Sequence, residues 1–285
     1  MHRSDLRGVG VSKEDVRSEV VAGRWFVHGR HTVAVAAGPL ARRARLWQAI
    51  WESGAGAVLD GAAALEASGL RGFDPPRIDV SVPRANRHHV LDGVRIHRRS
   101  EMPRVVTAGI PRVRAELAAV HAASWARSDR EAALILCLVV QQRLTTPERL
   151  LAAWRGGRRA GPRRPFVNAA VVDICDGAQA LGELDFAGLC RARGLPEPSR
   201  QSVVRGRNGR VHLDARWKGI GLVVEIDGGH HQWSLNPVAD ALRQNDLVVD
   251  GEVVLRIPVL GLRLDSRRFM DQVVRAHERL TVESA

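Results

Sequence analysis

Cysteine is scarce in this chain. Cys137, Cys175 and Cys190 are odd in number and nowhere at CxxC spacing, which argues against both a disulfide framework and a zinc site and predicts buried thiols. No run of about 18 apolar residues occurs, and Met1-His-Arg-Ser-Asp lacks the apolar core of a signal peptide. A soluble, cytoplasmic protein with no membrane partner is therefore expected. Internal repeats are absent as well. Lysine is rarest of all: Lys13 and Lys218 are the only two, so nearly all of the 43 basic residues are arginine. Arginine is a good phosphate fork, although codon composition alone also enriches it.

What the chain does have is length and positive charge. At 285 residues it can bury a sizeable core and is long enough for two domains. A net charge of +12 points to an anionic partner. It is unevenly spread, with +8 over residues 1–154, +5 over 155–170 and −1 over the remainder. If DNA is that partner, the attraction must come mainly from the N-terminal part and from the arginine-rich stretch, where each neutralised phosphate adds salt-dependent affinity.

One stretch near the C-terminal end carries the chemistry. Val211-His-Leu-Asp214-Ala-Arg-Trp and Leu222-Val-Val-Glu225-Ile-Asp227 are two runs of β-formers, each preceded by turn residues, Asn208-Gly209 and Lys218-Gly219. They predict a β-hairpin. Asp214, Glu225 and Asp227 fall inside or at the end of these apolar runs, where an uncompensated carboxylate costs several kcal/mol. Strand periodicity puts Glu225 and Asp227 on one face, and Asp214 can reach that face from the neighbouring strand. Convergent carboxylate oxygens on rigid strands suit Mg²⁺, which keeps waters and completes its shell with substrate phosphate. The alternative compensator is one of the many arginines.

The same residues carry a resemblance. Leu181-Gly-Glu183-Leu-Asp-Phe, Gly194-Leu-Pro-Glu-Pro, Leu213-Asp214-Ala, Val224-Glu225-Ile-Asp227-Gly, His231, and then Asp240, Arg243, Leu247, Gly251 and Val254-Leu-Arg256 occur in this order. The run from about Val172 to Leu280 resembles the bacterial DUF559 domain, a branch of the PD-(D/E)XK nuclease superfamily related to the very-short-patch repair endonucleases. The resemblance implies an α/β domain, a mixed sheet flanked by helices, with its metal site at the sheet edge. It implies Mg²⁺, or Mn²⁺, held by Asp214 and Glu225, with Glu183 as a further metal or water contact. The superfamily's lysine position is Asp227 here, as is common in this branch. Water orientation then falls to Asp227 or His231, and Arg243 becomes a candidate phosphate contact. Endonucleolytic cleavage of DNA leaving a 5′ phosphate is the implied reaction.

Upstream, Ser12-Lys-Glu-Asp15 predicts the capping-box start of a short helix that stops at Gly23. Arg24-Trp-Phe-Val27 and Thr32-Val-Ala-Val35 read as a hairpin. Helix followed by hairpin is the tail of a winged helix-turn-helix, and this segment resembles the N-terminal part of AbiEi-type antitoxins, with Arg17 and Arg24 as candidate phosphate contacts. Pro39 predicts a helix to about Glu52 with Leu40, Ala44, Trp47, Ile50 and Trp51 at core spacing. Asp60 can cap a helix ending at Gly69. Residues 77–82 and 93–97 read as strands joined by a basic hairpin tip, and helices are expected over Pro111–Trp125, after Ser128, and from Thr146 to Trp154. The expected divisions are a truncated winged-helix-like segment (1–38), a mixed helix and strand region (39–154), a basic linker (155–170) and the endonuclease-like domain (171–285). Five arginines in the linker, among them Arg158, Arg159, Arg163 and Arg164, make it either a tether or a phosphate-contacting arm.

Three functions thus stay open: a metal-dependent endodeoxyribonuclease, a non-catalytic DNA-binding regulator resembling an antitoxin, and a protein–protein module.

Overall fold

The computed structural model describes the chain except residues 36, 87–90, 158–162, 176–183, 206–210, 228–251 and 285; residues 200, 202–205, 211, 212 and 227 are described by their backbone alone. The architecture is mixed α/β, divided into two compact units, Met1–Trp125 and Ala126–Ala285.

The first unit opens with helices α1 (Arg3–Gly8) and α2 (Lys13–Val21), followed by the short antiparallel strands β1 (Phe26–Val27) and β2 (Val33–Ala34). The capping box at Ser12 is formed: its hydroxyl accepts from Asp15 N–H, and the Asp15 carboxylate accepts from Ser12 N–H at 2.8 Å. Leu6, Val16 and Val33 bury against one another, with Trp25 on their flank. Helix α3 (Arg42–Ser53) fastens this piece to the rest of the unit. Its Glu52 carboxylate is buried and accepts from Arg30 N–H at 3.0 Å, His31 N–H at 2.8 Å and the Thr32 hydroxyl at 2.7 Å. Segment 1–38 is therefore bonded to α3 within one unit.

The first unit's main sheet has the order β5-β4-β3-β7-β6, from β3 (Val58–Leu59), β4 (Ile78–Pro83), β5 (Val94–Arg99), β6 (Val105–Val106) and β7 (Arg112–Val113). Helices α4 (Gly61–Ala67) and α5 (Ala115–Trp125) pack together over it, and Asp60 caps α4 as its spacing predicts. Three expectations need correction. β4 and β5 are parallel, so the two strands do not form a hairpin. Pro111 does not start a helix, because Arg112 and Val113 pair with β3 and β6 and the helix begins at Ala115. The buried side of α3 is Leu46, Ala49, Ile50 and Ser53, while Trp47 and Trp51 stack on each other at 5.3 Å, half-exposed.

The second unit begins with α6 (Asp129–Gln141), capped by Ser128, and α7 (Pro147–Gly156), capped by Thr146 with Pro147 at its first turn. Both pack on α8 (Arg164–Cys175), so the helices over 128–154 belong with the C-terminal unit, and the arginine-rich stretch lies inside it rather than between units. Leu134 of α6 is exposed. After α9 (Phe186–Arg191) and a left-handed Gly194 come β8 (Arg200–Arg205), β9 (Val211–Trp217), β10 (Leu222–Asp227) and β11 (Val253–Pro258), in the spatial order β11-β10-β9-β8. The β9–β10 pair is the expected antiparallel hairpin, and β11 runs parallel to β10. A terminal helix, α10 (Val259–Glu283), breaks its helical backbone at Asp265 and returns over the sheet. The thiols of Cys137 and Cys190 are buried, and that burial pushes them up to about 12 and about 11; Cys175 is half-buried.

Candidate active site

Strict alternation gives the second sheet two unlike faces. Leu213, Ala215 and Trp217 of β9 stand opposite Ile226, Val224 and Leu222 of β10, and Val253, Leu255 and Ile257 of β11 continue these rungs. All of them join Phe186, Met270 and Val273 in one apolar core. Trp217 meets Phe186 edge-on, and its indole N–H finds the Pro196 carbonyl at 3.0 Å. Full burial of a Leu, Ile or Val side chain contributes about 1.5–3 kcal/mol, and that burial fixes the register of the strands.

That register decides where the charges go. The intervening positions form the other face, and on it Asp214 pairs directly with Glu225, which pairs in turn with Arg256. Aspartate, glutamate and arginine thus occupy one rung of three neighbouring strands. Glu225 is wholly buried, and the Asp214 side chain is 14% exposed. Like charges directly opposite on adjacent strands repel, and the structure answers with guanidinium. The Arg256 Nε lies 3.3 Å from Glu225 Oε2. The Arg216 Nε donates to both Asp214 oxygens at 3.1 Å, and its Nη1 bridges to Glu252 at 3.1 and 3.3 Å.

Of the two compensators considered from the sequence, arginine is the one in place, at Asp214 and at Glu225 alike. Asp214 and Glu252 share Arg216, and Glu225 meets Arg256. Hard oxygen donors of this kind suit Mg²⁺ or Mn²⁺, and Mg²⁺ commonly takes one or two carboxylates besides water and phosphate. Asp214 and Glu225 supply two. No group of three or more carboxylate, imidazole or thiol side chains suited to a metal occurs among the described residues. Asp227 closes β10 in register with His212 and Pro258, but its side chain lies outside the described part, as do Glu183, His231 and Arg243 entirely. Reasoning from the sequence missed the roles of Arg216 and Arg256. The signal was present in Asp214-x-Arg216, where a period of two puts both side chains on one face.

The candidate phosphate contacts divide. Arg17 is exposed on α2. Arg24 forms a two-pronged pair with Glu19 at 2.6 and 2.7 Å, which holds the Glu19 carboxyl below its usual range. Arg163 is committed to structure: it donates to the carbonyls of Ala126 and Arg127 at 2.8 and 2.6 Å and pairs with Asp129 at 2.8 Å. Arg164 begins α8, and Arg158 and Arg159 lie outside the described residues. In comparison with known proteins, no protein-family model and no curated protein matches this chain. The resemblance to the DUF559 domain accordingly rests on the motif residues themselves.

Proposed function

We propose that the chain is a metal-dependent endodeoxyribonuclease whose phosphodiester chemistry is carried by the charged face of the second sheet. The observation behind this reading is the pairing of Asp214 with the buried Glu225 on one rung of two rigid strands. Asp214 and Glu225 would hold Mg²⁺ or Mn²⁺. When bound, the cation supplies Lewis acidity toward the phosphoryl oxygens and lowers the pKa of water.

The chain's own residues do the rest. Arg216 and Arg256 hold the two carboxylates in place, and as partly exposed guanidiniums beside them they can lend donors to a phosphate oxygen. Orientation of the attacking water is assigned to Asp227 or His231, as the resemblance implies. The arginine excess of the first unit and of the stretch 155–170 attracts the polyanion, a salt-dependent and sequence-independent contribution.

A specific observation favours a second reading, a non-catalytic DNA-binding regulator. Because Arg216 and Arg256 already compensate Asp214 and Glu225, the site is electrostatically tolerable without a metal. Nicking of supercoiled and mismatched plasmid in Mg²⁺ or Mn²⁺ separates the two. The nuclease reading expects cleavage by the wild type that is lost in EDTA and in folded Asp214→Asn and Glu225→Gln variants, with DNA retention preserved. Equal cleavage by all three proteins, or DNA retention that ignores EDTA with no cleavage of any substrate, overturns it in favour of the regulator.

A further inference from the structure

The first unit holds a second charged cluster, unrelated to the nuclease-like sheet. In parallel register, Asp79 pairs with Arg95, Ser81 with His97 and Pro83 with Arg99, so β4 and β5 present these residues side by side. The Asp79 carboxylate, nearly buried, contacts Arg95 Nε at 2.6 Å and His97 Nε2 at 2.7 Å. Asp60, wholly buried at the start of α4, accepts from Gly61 N–H at 2.7 Å, from the Ser81 hydroxyl and from Arg99 Nη2 at 3.1 Å. Its Oδ1 also lies 2.8 Å from His121 Nδ1 on α5. The Trp125 ring stacks on His97 at 3.5 Å and on His121 at 5.1 Å, with the guanidiniums of Arg95 and Arg99 over it at 5.5 and 5.3 Å.

The layering of this cluster is one-sided. The carboxylates are the buried members, whereas the side chains of Arg95, His97, Arg99 and His121 are 38%, 17%, 26% and 18% exposed. Each imidazole and each guanidinium is gripped along one edge by a buried acceptor and keeps further N–H or ring-nitrogen positions at its other edge. Fixing donors in this way removes the rotamer entropy that a ligand would otherwise have to overcome. A network serving stability alone would be matched by apolar packing of the same volume; it has no need of four polar heads reaching solvent from anchored positions. Planar, pre-oriented arginine and histidine donors in front of buried carboxylates match an oxyanion with several acceptor oxygens.

We infer that this face of the first unit is a phosphate-binding site, with Arg95, His97, Arg99 and His121 as its donors and Asp60 and Asp79 as positioning residues. The inference does not depend on cleavage by the second unit. Its ligand is a phosphate oxyanion, from either a terminal phosphomonoester or an internal phosphodiester of a nucleic-acid strand.

Calorimetric titration of the full chain in EDTA tests it with three probes: inorganic phosphate, a 5′-phosphorylated deoxythymidine hexamer and the same hexamer with a 5′ hydroxyl. The site predicts saturable phosphate binding that weakens about tenfold or more in Arg99→Gln and in Arg95→Gln. Arg95 is the most exposed donor and His97 still contacts Asp79 without it, so Arg95→Gln is the variant expected to fold, and circular dichroism checks that it does. A preference for the 5′-phosphorylated hexamer identifies a terminal phosphate, and equal affinity for both hexamers, still weakened in the two variants, identifies the backbone diester. Phosphate binding that is absent from the wild type, or undiminished in folded Arg95→Gln, overturns the proposal.

Discussion

Asp214 and Glu225 face each other across a single rung of the β9–β10 ladder, and each is held by a different arginine, Arg216 from its own strand and Arg256 from the next. The arrangement makes a buried carboxylate dependent on its cation.

A double-mutant cycle on Glu225 and Arg256 measures that dependence. Arg256→Gln leaves the Glu225 carboxylate buried without its guanidinium and should cost about 3–5 kcal/mol in urea unfolding. Glu225→Gln in the same background should recover part of the loss, because the buried charge that Arg256 met is then gone. If the rung also holds a divalent cation, Mg²⁺ should raise the melting temperature of Arg256→Gln more than that of the wild type, since the variant lacks the Arg256 guanidinium beside Glu225.

Asp60 predicts a pH dependence. Burial alone would raise its pKa, but His121, the Ser81 hydroxyl and Gly61 N–H together outweigh burial and hold the carboxyl below its ordinary value. As pH falls, the unfolded chain therefore takes up this proton first. The stabilisation is complete above the ordinary aspartate value of about 3.9 and is lost as pH drops through the lower folded value. Denaturation midpoints of Asp60→Asn measured from about pH 5 to about pH 2 should lie below those of the wild type at the upper end and converge with them at the lower end.

Gly29 is required by a close approach. A Cβ there would stand 2.5 Å from Glu52 Oε1, the oxygen that receives His31 N–H and the Thr32 hydroxyl. Gly29→Ala should push Glu52 off these donors and cost about 1–3 kcal/mol. Thermal unfolding of Gly29→Ala beside Glu52→Ala checks this: if the two act through the same contact, their combination should be less damaging than the sum.

What the sequence made legible were features with a local cause. Ser12, Asp60, Ser128 and Thr146 cap helices because a short oxygen-bearing side chain before a helical run satisfies orphan N–H groups. The β9–β10 hairpin was readable because alternation and turn residues specify both faces and register. Partner choice left no such trace. Alternation in residues 78–83 and 94–99 says which side chains share a face, but not whether the strands run parallel. Arg112 and Val113 form a strand only because β3 and β6 supply partners on either side. The stretch after Gly156 has the composition of a tether, yet Arg163 ties its end to the turn before α6 through two carbonyls and a carboxylate. Likewise, the cluster around Trp125 is drawn from β4, β5 and both ends of the α4–α5 pair, and proximity in sequence gives it no signature.

The contrast between Arg163 and Arg17 yields a final prediction, on which arginines serve the fold and which serve the polyanion. Arg163 spends Nε, Nη1 and Nη2 on Ala126, Asp129 and Arg127, so Arg163→Ala strands two carbonyls and a carboxylate. It should lower stability by about 1–3 kcal/mol and leave the salt dependence of DNA binding where it was. Arg17 is exposed on α2 and can be removed with little effect on unfolding. If it meets a phosphate, Arg17→Ala should weaken binding evenly across DNA sequences and reduce the slope of log affinity against log salt by about one. Arg24, already paired with Glu19, should fall between them, because a phosphate must compete with a carboxylate for the same guanidinium edge. Fluorescence anisotropy on a labelled duplex at several salt concentrations, alongside urea unfolding of each variant, separates the two classes. A lower salt slope in Arg163→Ala would instead make the stretch before α8 a binding arm.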